Sequence, residues 1–167
     1  MRIYIIIPVF NRLEETKKII SCLRNQITKN QIEIIIINDG STDGTKQWIN
    51  LQNDITVIEG NGRLLWGGAL NLAINYLKKI YNEKDWVILL NNDVLINENY
   101  VQNMLDIAEK YKPAAVGSVV RNLYIKSSVI STSINIDAWN FKIHDQINCK
   151  RNYFYKNILQ TDVLSGR

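Results

Sequence analysis

The sequence predicts an α/β domain: a mostly parallel sheet with helices on both faces. Three short apolar runs, Ile5-Ile6-Ile7, Ile34-Ile35-Ile36-Ile37 and Val87-Ile88-Leu89-Leu90, are continuous rather than alternating and mostly β-branched. That is the pattern of parallel strands buried on both faces. Helical periodicity fills the intervals between them, and strand–helix alternation at this spacing implies right-handed crossovers. Each run also ends in polar residues: Pro8-Val9-Phe10-Asn11, then Asn38-Asp39-Gly40-Ser41, then Asn91-Asn92-Asp93.

In the first interval Leu13, Thr16, Ile20, Leu23 and Ile27 recur every three or four residues. Asn11 followed by Glu14 reads as a capping box with Asn as the N-cap. A second helix is expected from Ser41 or Asp43, carrying Trp48 and Leu51. A third is expected from Gly67-Gly68, with Leu70, Ile74 and Leu77 on one face. The fourth runs from about Asn99 to Lys110, with Val101, Leu105 and Ala108 inward, and stops before Pro113. A strand pattern follows over 114–120. Beyond Asn122, segments 128–136 and 152–163 read as short or edge strands. No linker divides the 167 residues, so a single domain is expected.

Composition narrows the function classes. Hydrophobic residues at 46% and charged residues at 22% suit a globular chain able to bury a core without disulfides or a structural metal. Cys22 and Cys149 form no CxxC; Cys22 reads as a small core residue, and such usage fits a reducing cytoplasm. Ile3 to Ile7 is too short for a signal peptide and is ended by Pro8, and no run reaches the roughly 20 apolar residues of a membrane span. The net charge of +4 comes from lysines near helix ends and from Lys142, Lys150, Arg151 and Lys156 late in the chain. These read as a solvated surface, with attraction to anionic lipid, nucleotide or polysaccharide left open. A cytoplasmic protein is expected, with peripheral contact at the inner membrane face open and no nucleic-acid partner.

In an open parallel sheet, ligands bind beyond the carboxyl ends of the strands. The residues after each apolar run therefore locate a site. Gly67-Gly68 offers backbone N–H groups that a phosphate could approach, and Arg63 before it a positive charge; packing of helix on sheet explains the glycines equally well. Asp39 and Asp93 each follow a buried strand, where a carboxylate needs a partner or water. Either could cap the next helix or turn. Two at one edge also fit Mg²⁺, which takes one or two carboxylates plus substrate phosphates. His144 is the sole histidine, so no histidine cluster competes.

Taken in order, Ile5-Ile6-Ile7-Pro8-Val9-Phe10-Asn11-Arg12, Ile36-Ile37-Asn38-Asp39-Gly40-Ser41-Thr42-Asp43-Gly44-Thr45, Trp66-Gly67-Gly68-Ala69-Leu70-Asn71 and Leu89-Leu90-Asn91-Asn92-Asp93 resemble the N-terminal half of family 2 inverting glycosyltransferases. The rhamnosyltransferase-like branch, with Asn-Asn-Asp for the DxD motif, is the nearest in pattern. The resemblance covers about the first 120 residues and implies a GT-A-like, Rossmann-type sheet. It assigns residues 1–120 to the nucleotide-sugar half and 121–167 to an incomplete start of the acceptor half. The final Thr161-Asp162-Val163-Leu164-Ser165-Gly166-Arg167 looks like the strand and turn before the family's acceptor-side helix.

Carried over, Pro8 and Val9 line the nucleotide pocket, Asp39 accepts a hydrogen bond from the base, and Gly67 and Gly68 lie against the nucleotide. Asn91 and Asn92 sit near ribose and diphosphate, and Asp93 holds Mg²⁺ or Mn²⁺. The implied donor is a UDP- or dTDP-sugar and the acceptor a glycan or lipid-linked glycan of a cell-surface polysaccharide. The family's general base falls beyond Arg167, so the resemblance implies that this chain alone does not turn over. Two other readings remain: a diphosphate-binding module without turnover, and a nucleotidyltransferase. The latter should show a glycine-rich basic loop after the first strand, which Pro8-Val9-Phe10-Asn11 is not. A dinucleotide-binding domain would need GxGxxG there.

Overall fold

The computed structural model describes residues 1–112, 115–122, 124, 129–131, 133–137, 142–145 and 163–164. The chain divides into two compact units, Met1–Gln102 and Asn103–Arg167. In the first, β1 (Arg2–Val9), α1 (Leu13–Arg24), β2 (Gln31–Asn38), α2 (Thr45–Asn50), β3 (Ile55–Glu59), α3 (Leu65–Leu77) and β4 (Trp86–Leu89) alternate along the chain, and α4 (Tyr100–Lys110) begins at its end. The four strands form a parallel sheet in the order β3-β2-β1-β4. The order reverses between β1 and β4, which makes that crevice the topological switch point. The second unit contains β5 (Val120–Arg121) paired with β6 (Val129–Ser131), and β7 (Ser133–Asp137) flanked by β8 (Lys142–Asp145) and β9 (Val163–Leu164). β6 and β7 bear out the short strands expected over 128–136, although β7 lies in the middle of its sheet rather than at an edge. The strand expected over 114–120 contracts to Val120–Arg121 among its described residues. Cys149, Lys150, Arg151, Lys156, Asp162, nearly all of the strand expected over 152–163 and the turn expected at Ser165-Gly166-Arg167 lie outside the described residues.

Alternation along the strands builds the core. Tyr4 and Ile6 of β1 and Ile35 and Ile37 of β2 face Ala69, Leu70, Ala73 and Leu77 of α3. On the opposite face Ile3, Ile5, Ile7, Ile34 and Ile36 are also buried, so both faces of β1 and β2 are covered, as their unbroken isoleucine runs require. Ile19, Ile20 and Leu23 of α1 and Ile49 of α2 complete the buried helical set.

Several expectations are corrected. β3 was not foreseen; its Ile-Thr-Val-Ile is short, and at the sheet edge it is only half-buried. β4 is not buried on both faces, since Val87 and Leu89 are 46% and 47% exposed. They share the face of Tyr4 and Ile6 by register, but α3 lies over β1 and β2 and does not reach β4. α1 ends at Arg24, so Ile27 is not helical: Gln26 and Ile27 turn instead to the start of α4. There the Ile27 N–H donates to the Glu98 carbonyl and Gln26 Oε1 accepts from the Val101 N–H. In α2 the inward residue is Ile49, while Leu51 follows the helix and is exposed. In α3 the buried stripe passes through Ala73 and leaves Ile74 outside. Val101, Leu105 and Ala108 of α4 are buried as expected. Cys22 is half-buried and free.

Ile6 and Leu89 are register partners on one sheet face with opposite environments. Ile6→Ala should lower unfolding stability by about 2–5 kcal/mol. Leu89→Ala should cost well under half of that, both read from urea midpoints at constant m.

Candidate functional site

The loops after β1, β2 and β4 meet at the carboxyl edge of the sheet, and the β2 loop organises its neighbours. At its start the Asp39 N–H donates to the Val9 carbonyl at 2.8 Å, carrying the β1–β2 ladder one residue beyond the strands. Asn38 is fully buried; its Nδ2 donates to Glu59 and its Oδ1 accepts from the Ser41 N–H. Gly40 is required twice, by its φ of +80° and because a Cβ there would stand 2.9 Å from Gly62 Cα.

Asp39 is buried, and both carboxylate oxygens accept from the backbone of the β3–α3 loop. Oδ1 takes the Gly62 N–H at 2.8 Å, and Oδ2 takes those of Leu64 and Leu65 at 2.9 and 3.2 Å. The anion at the N-terminus of α3 is therefore Asp39 itself. This corrects the expected helix start at Gly67-Gly68. The helix begins at Leu65, and the Gly68 N–H already bonds the Leu64 carbonyl, so it is not offered to a phosphate. The two glycines also differ. A Cβ on Gly68 would meet Leu64 Cβ at 3.1 Å, whereas one on Gly67 would meet nothing within 4 Å. Packing explains Gly68 and leaves Gly67 unexplained. Arg63 is exposed in the loop before α3.

The β1–α1 loop is held from the β2 side. The Asn11 N–H donates to Ser41 Oγ, and Asn11 Oδ1 accepts from the Thr42 N–H, both at 2.8 Å. Asn11 is thus not the N-cap of α1. Arg12 occupies that position with φ 66°, its carbonyl accepting from the Thr16 N–H and hydroxyl, and no side chain of its own caps the helix. Asp43 supplies the cap from thirty residues away, accepting from the Leu13 N–H while also holding the Thr45 N–H and hydroxyl. Among the described residues the non-glycine positions of positive φ are Asn11 and Arg12, in the β1–α1 loop, and Leu65, the first residue of α3. Backbone strain of that kind gathers at functional sites.

From β4, the Leu90 N–H donates to the Ile6 carbonyl, which brings the Asn91-Asn92-Asp93 turn level with Pro8 and Val9. Val9 is buried and Pro8 half-buried. Asn92 is buried and donates to Thr16 Oγ1, which ties the turn to α1. Asn91 Oδ1 accepts from the Trp66 indole N–H at 3.2 Å. Asp93 is exposed and ion-paired with Arg12, Nη1 to Oδ2 at 2.5 Å. All eight expected site residues thus lie at this edge. Arg12 and Trp66 are additional members, and each stood beside a singled-out motif residue. Among the described residues no cluster of three or more His, Cys, Asp or Glu exists to cage a metal. With Asp39 committed to the backbone, Asp93 is the carboxylate able to meet a cation, a sparse set that suits Mg²⁺ or Mn²⁺ completed by phosphate oxygens.

Asp39→Ala should orphan three loop amides. Hydrogen exchange is expected to accelerate at Gly62, Leu64 and Leu65 before it does in β1 or β2, with stability reduced by about 2–4 kcal/mol. Asp43 gives a pH signature. The Thr45 hydroxyl first, then the Thr45 and Leu13 amides, hold its carboxyl below the ordinary value. A depressed carboxylate contributes above its unfolded pKa and is lost as pH falls through the folded one. The Leu13 and Thr45 amide shifts should therefore titrate together with a midpoint below that of free Asp, and Asp43→Asn should abolish that titration.

Comparison with known proteins gives this edge a context. Over 158 residues the chain is 27% identical to the glycosyltransferase GlyA of Streptococcus pneumoniae, covering 92% of this chain and 22% of GlyA. It is 27% identical over 103 residues to an N-acetylglucosaminyl-diphospho-decaprenol L-rhamnosyltransferase of Mycobacterium tuberculosis, covering 57% and 34% respectively. The chain thus spans well under half the length of the curated relatives it matches. S. aureus TarS 1–349 in complex with UDP superposes with a TM-score of 0.54 at 18% identity, over 71% of this chain and 39% of that one. The mannosyltransferase PcManGT from Pyrobaculum calidifontis, in complex with GDP-Man and Mn²⁺, does so with 0.56 at 22%, over 72% and 35%. These likenesses bear out the GT-A-like α/β fold. The family model described as Glycosyl transferase family 2 matches residues 4–163, nearly the whole sequence, and the chain belongs to that family.

Proposed function

We infer that the β1–β4 crevice binds a nucleoside-diphosphate sugar and that the protein serves transfer of that sugar to an acceptor hydroxyl. One observation carries this reading: the two carboxylates at the sheet edge are in opposite states. Asp39 is buried and bonded to three backbone N–H groups, while Asp93 is exposed and, among the described residues, has one side-chain partner. The first suits a fixed recognition surface and the second a ligand-responsive one.

In this reading the base lies against Pro8 and Val9. An ionised carboxylate has about four lone-pair positions, so Asp39 keeps one for a uracil or thymine imide N–H while still holding its loop. UDP- and dTDP-sugars are the corresponding donors. The open face of Gly67 lets the nucleotide approach the helix backbone without meeting a side chain. Asn91, steadied by Trp66, and Asn92, steadied by Thr16, stand beside the ribose and diphosphate. Asp93 would hold Mg²⁺ or Mn²⁺, which when bound neutralises charge on the departing diphosphate. An acceptor hydroxyl would displace the nucleoside diphosphate at the anomeric carbon with inversion, its proton passing to a general base that none of the residues named above supplies. The rhamnosyltransferase relative, named for N-acetylglucosaminyl-diphospho-decaprenol, supports an acceptor of the glycan or lipid-linked glycan class; a part in cell-surface polysaccharide synthesis and a cytoplasmic location at the inner membrane face belong to the same proposal. Among the described residues no helix is long and apolar enough to cross a membrane.

The test is a thermal shift against UDP, dTDP, GDP and ADP, each with Mn²⁺ and with chelator, for wild type and Asp93→Ala. A ligand that binds only the folded state raises the unfolding temperature. A Mn²⁺-dependent rise with UDP or dTDP, lost in Asp93→Ala, is expected. A rise with none of the four would overturn the donor-site reading, and one confined to GDP or ADP would overturn the assignment of the base.

A further inference from the structure

We propose that Arg12 is an exchangeable counter-ion: it holds Asp93 until donor and cation arrive, then releases it to the cation and takes a phosphoryl oxygen of the donor diphosphate. The proposal rests on the donor-site reading above and assigns a role to a residue that reading does not use.

Three features of Arg12 carry it. The first is where its backbone is held. A left-handed φ of 66° is costly for a long side chain such as arginine, and this one is locked from both sides. Thr16 bonds its carbonyl twice, Asp43 fixes the following N–H, and Ser41 and Thr42 fix the preceding residue. The Cα of Arg12 is thereby anchored at the switch point, and its side chain is the part free to swing. The second is the weakness of what it leaves. The Arg12 and Asp93 side chains are 57% and 44% exposed, and solvent-exposed ion pairs of this kind contribute little to stability. A divalent cation on the same carboxylate would repel the guanidinium and has no strong contact to overcome.

The third is charge balance. The Arg12–Asp93 pair is neutral. A nucleoside-diphosphate sugar brings two negative charges and the cation two positive ones, so the loaded site is neutral again if Arg12 stays within it. Guanidinium is also the side chain best shaped to bind phosphate with two parallel N–H groups. A purely structural arginine, pinning the β4 turn to the β1 loop, would instead favour metal and nucleotide binding together.

The two roles differ in sign, which makes them separable. Arg12→Gly removes the guanidinium and relieves the positive-φ strain, so its unfolding midpoint should equal or exceed that of wild type. Mn²⁺ binding to the protein alone, followed by water-proton relaxation, should tighten about two- to fivefold in Arg12→Gly as the competitor is removed. Affinity for UDP at saturating Mn²⁺, measured by calorimetry with GDP in parallel, should weaken about tenfold. Arg12→Lys should recover part of the nucleotide affinity, and Asp93→Asn should abolish Mn²⁺ binding in either background. Effects of the same sign on metal and nucleotide, or no effect on either, would overturn the exchange while leaving the donor site intact. Failure of wild type to bind UDP or GDP with Mn²⁺ would remove the donor site, and the exchange with it.

Discussion

The rest of the sheet edge depends on the hydrogen bonds into the Asp39 carboxylate. A buried carboxylate is expensive unless its lone pairs are filled, and here the backbone of Gly62, Leu64 and Leu65 fills them. The requirement runs both ways: the loop needs an acceptor for amides that precede or open a helix, and the carboxylate needs donors. Gly60 and Gly40 follow from it. A Cβ on Gly60 would stand 2.7 Å from Asp39 Oδ1, and one on Gly40 would strike Gly62. With that loop fixed, α3 starts where it does, its Ala69–Leu77 stripe meets Tyr4, Ile6, Ile35 and Ile37, and Trp66 is brought to Asn91.

The β2 loop holds its other neighbour by different means. Ser41, Thr42 and Asp43 reach the β1–α1 loop through one hydroxyl, one amide and one carboxylate, and impose two successive left-handed residues. Six consecutive residues, Asn38 to Asp43, therefore position everything the β1 and β3 loops present. A motif that reads in sequence as a string of turn formers is in three dimensions the hub of the site.

The sequence carried the architecture because three isoleucine- and leucine-rich runs are long enough to specify buried parallel strands, and each ends in polar groups at one level. It did not carry β3, whose mixed, half-buried residues have no period to distinguish them. It misread the start of α1 because Asn11 and Glu14 have the right spacing for a local capping box, while the true cap, Asp43, comes from the far end of β2. Local spacing cannot report a partner thirty residues away. The same limit hid the Arg12–Asp93 pair and placed the start of α3 at its glycines, since the donors that define that start answer to Asp39. The burial of Leu89 was overestimated because composition alone does not say how far a neighbouring helix extends over an edge.

The unequal lengths of the strands have a consequence for how such a crevice grips. β1 and β2 share eight register pairs, and the loops above them are tied together by a dense set of bonds; β4 offers four residues, paired on one side to β1. One jaw of the crevice is a clamp bolted to the centre of the sheet, and the other rests on a shorter strip. A grip built this way is strict about whatever sits against the fixed jaw and forgiving about what the opposite jaw closes upon. A lineage could therefore change what is held on the β4 side through a few turn residues while its fixed jaw stayed as it was.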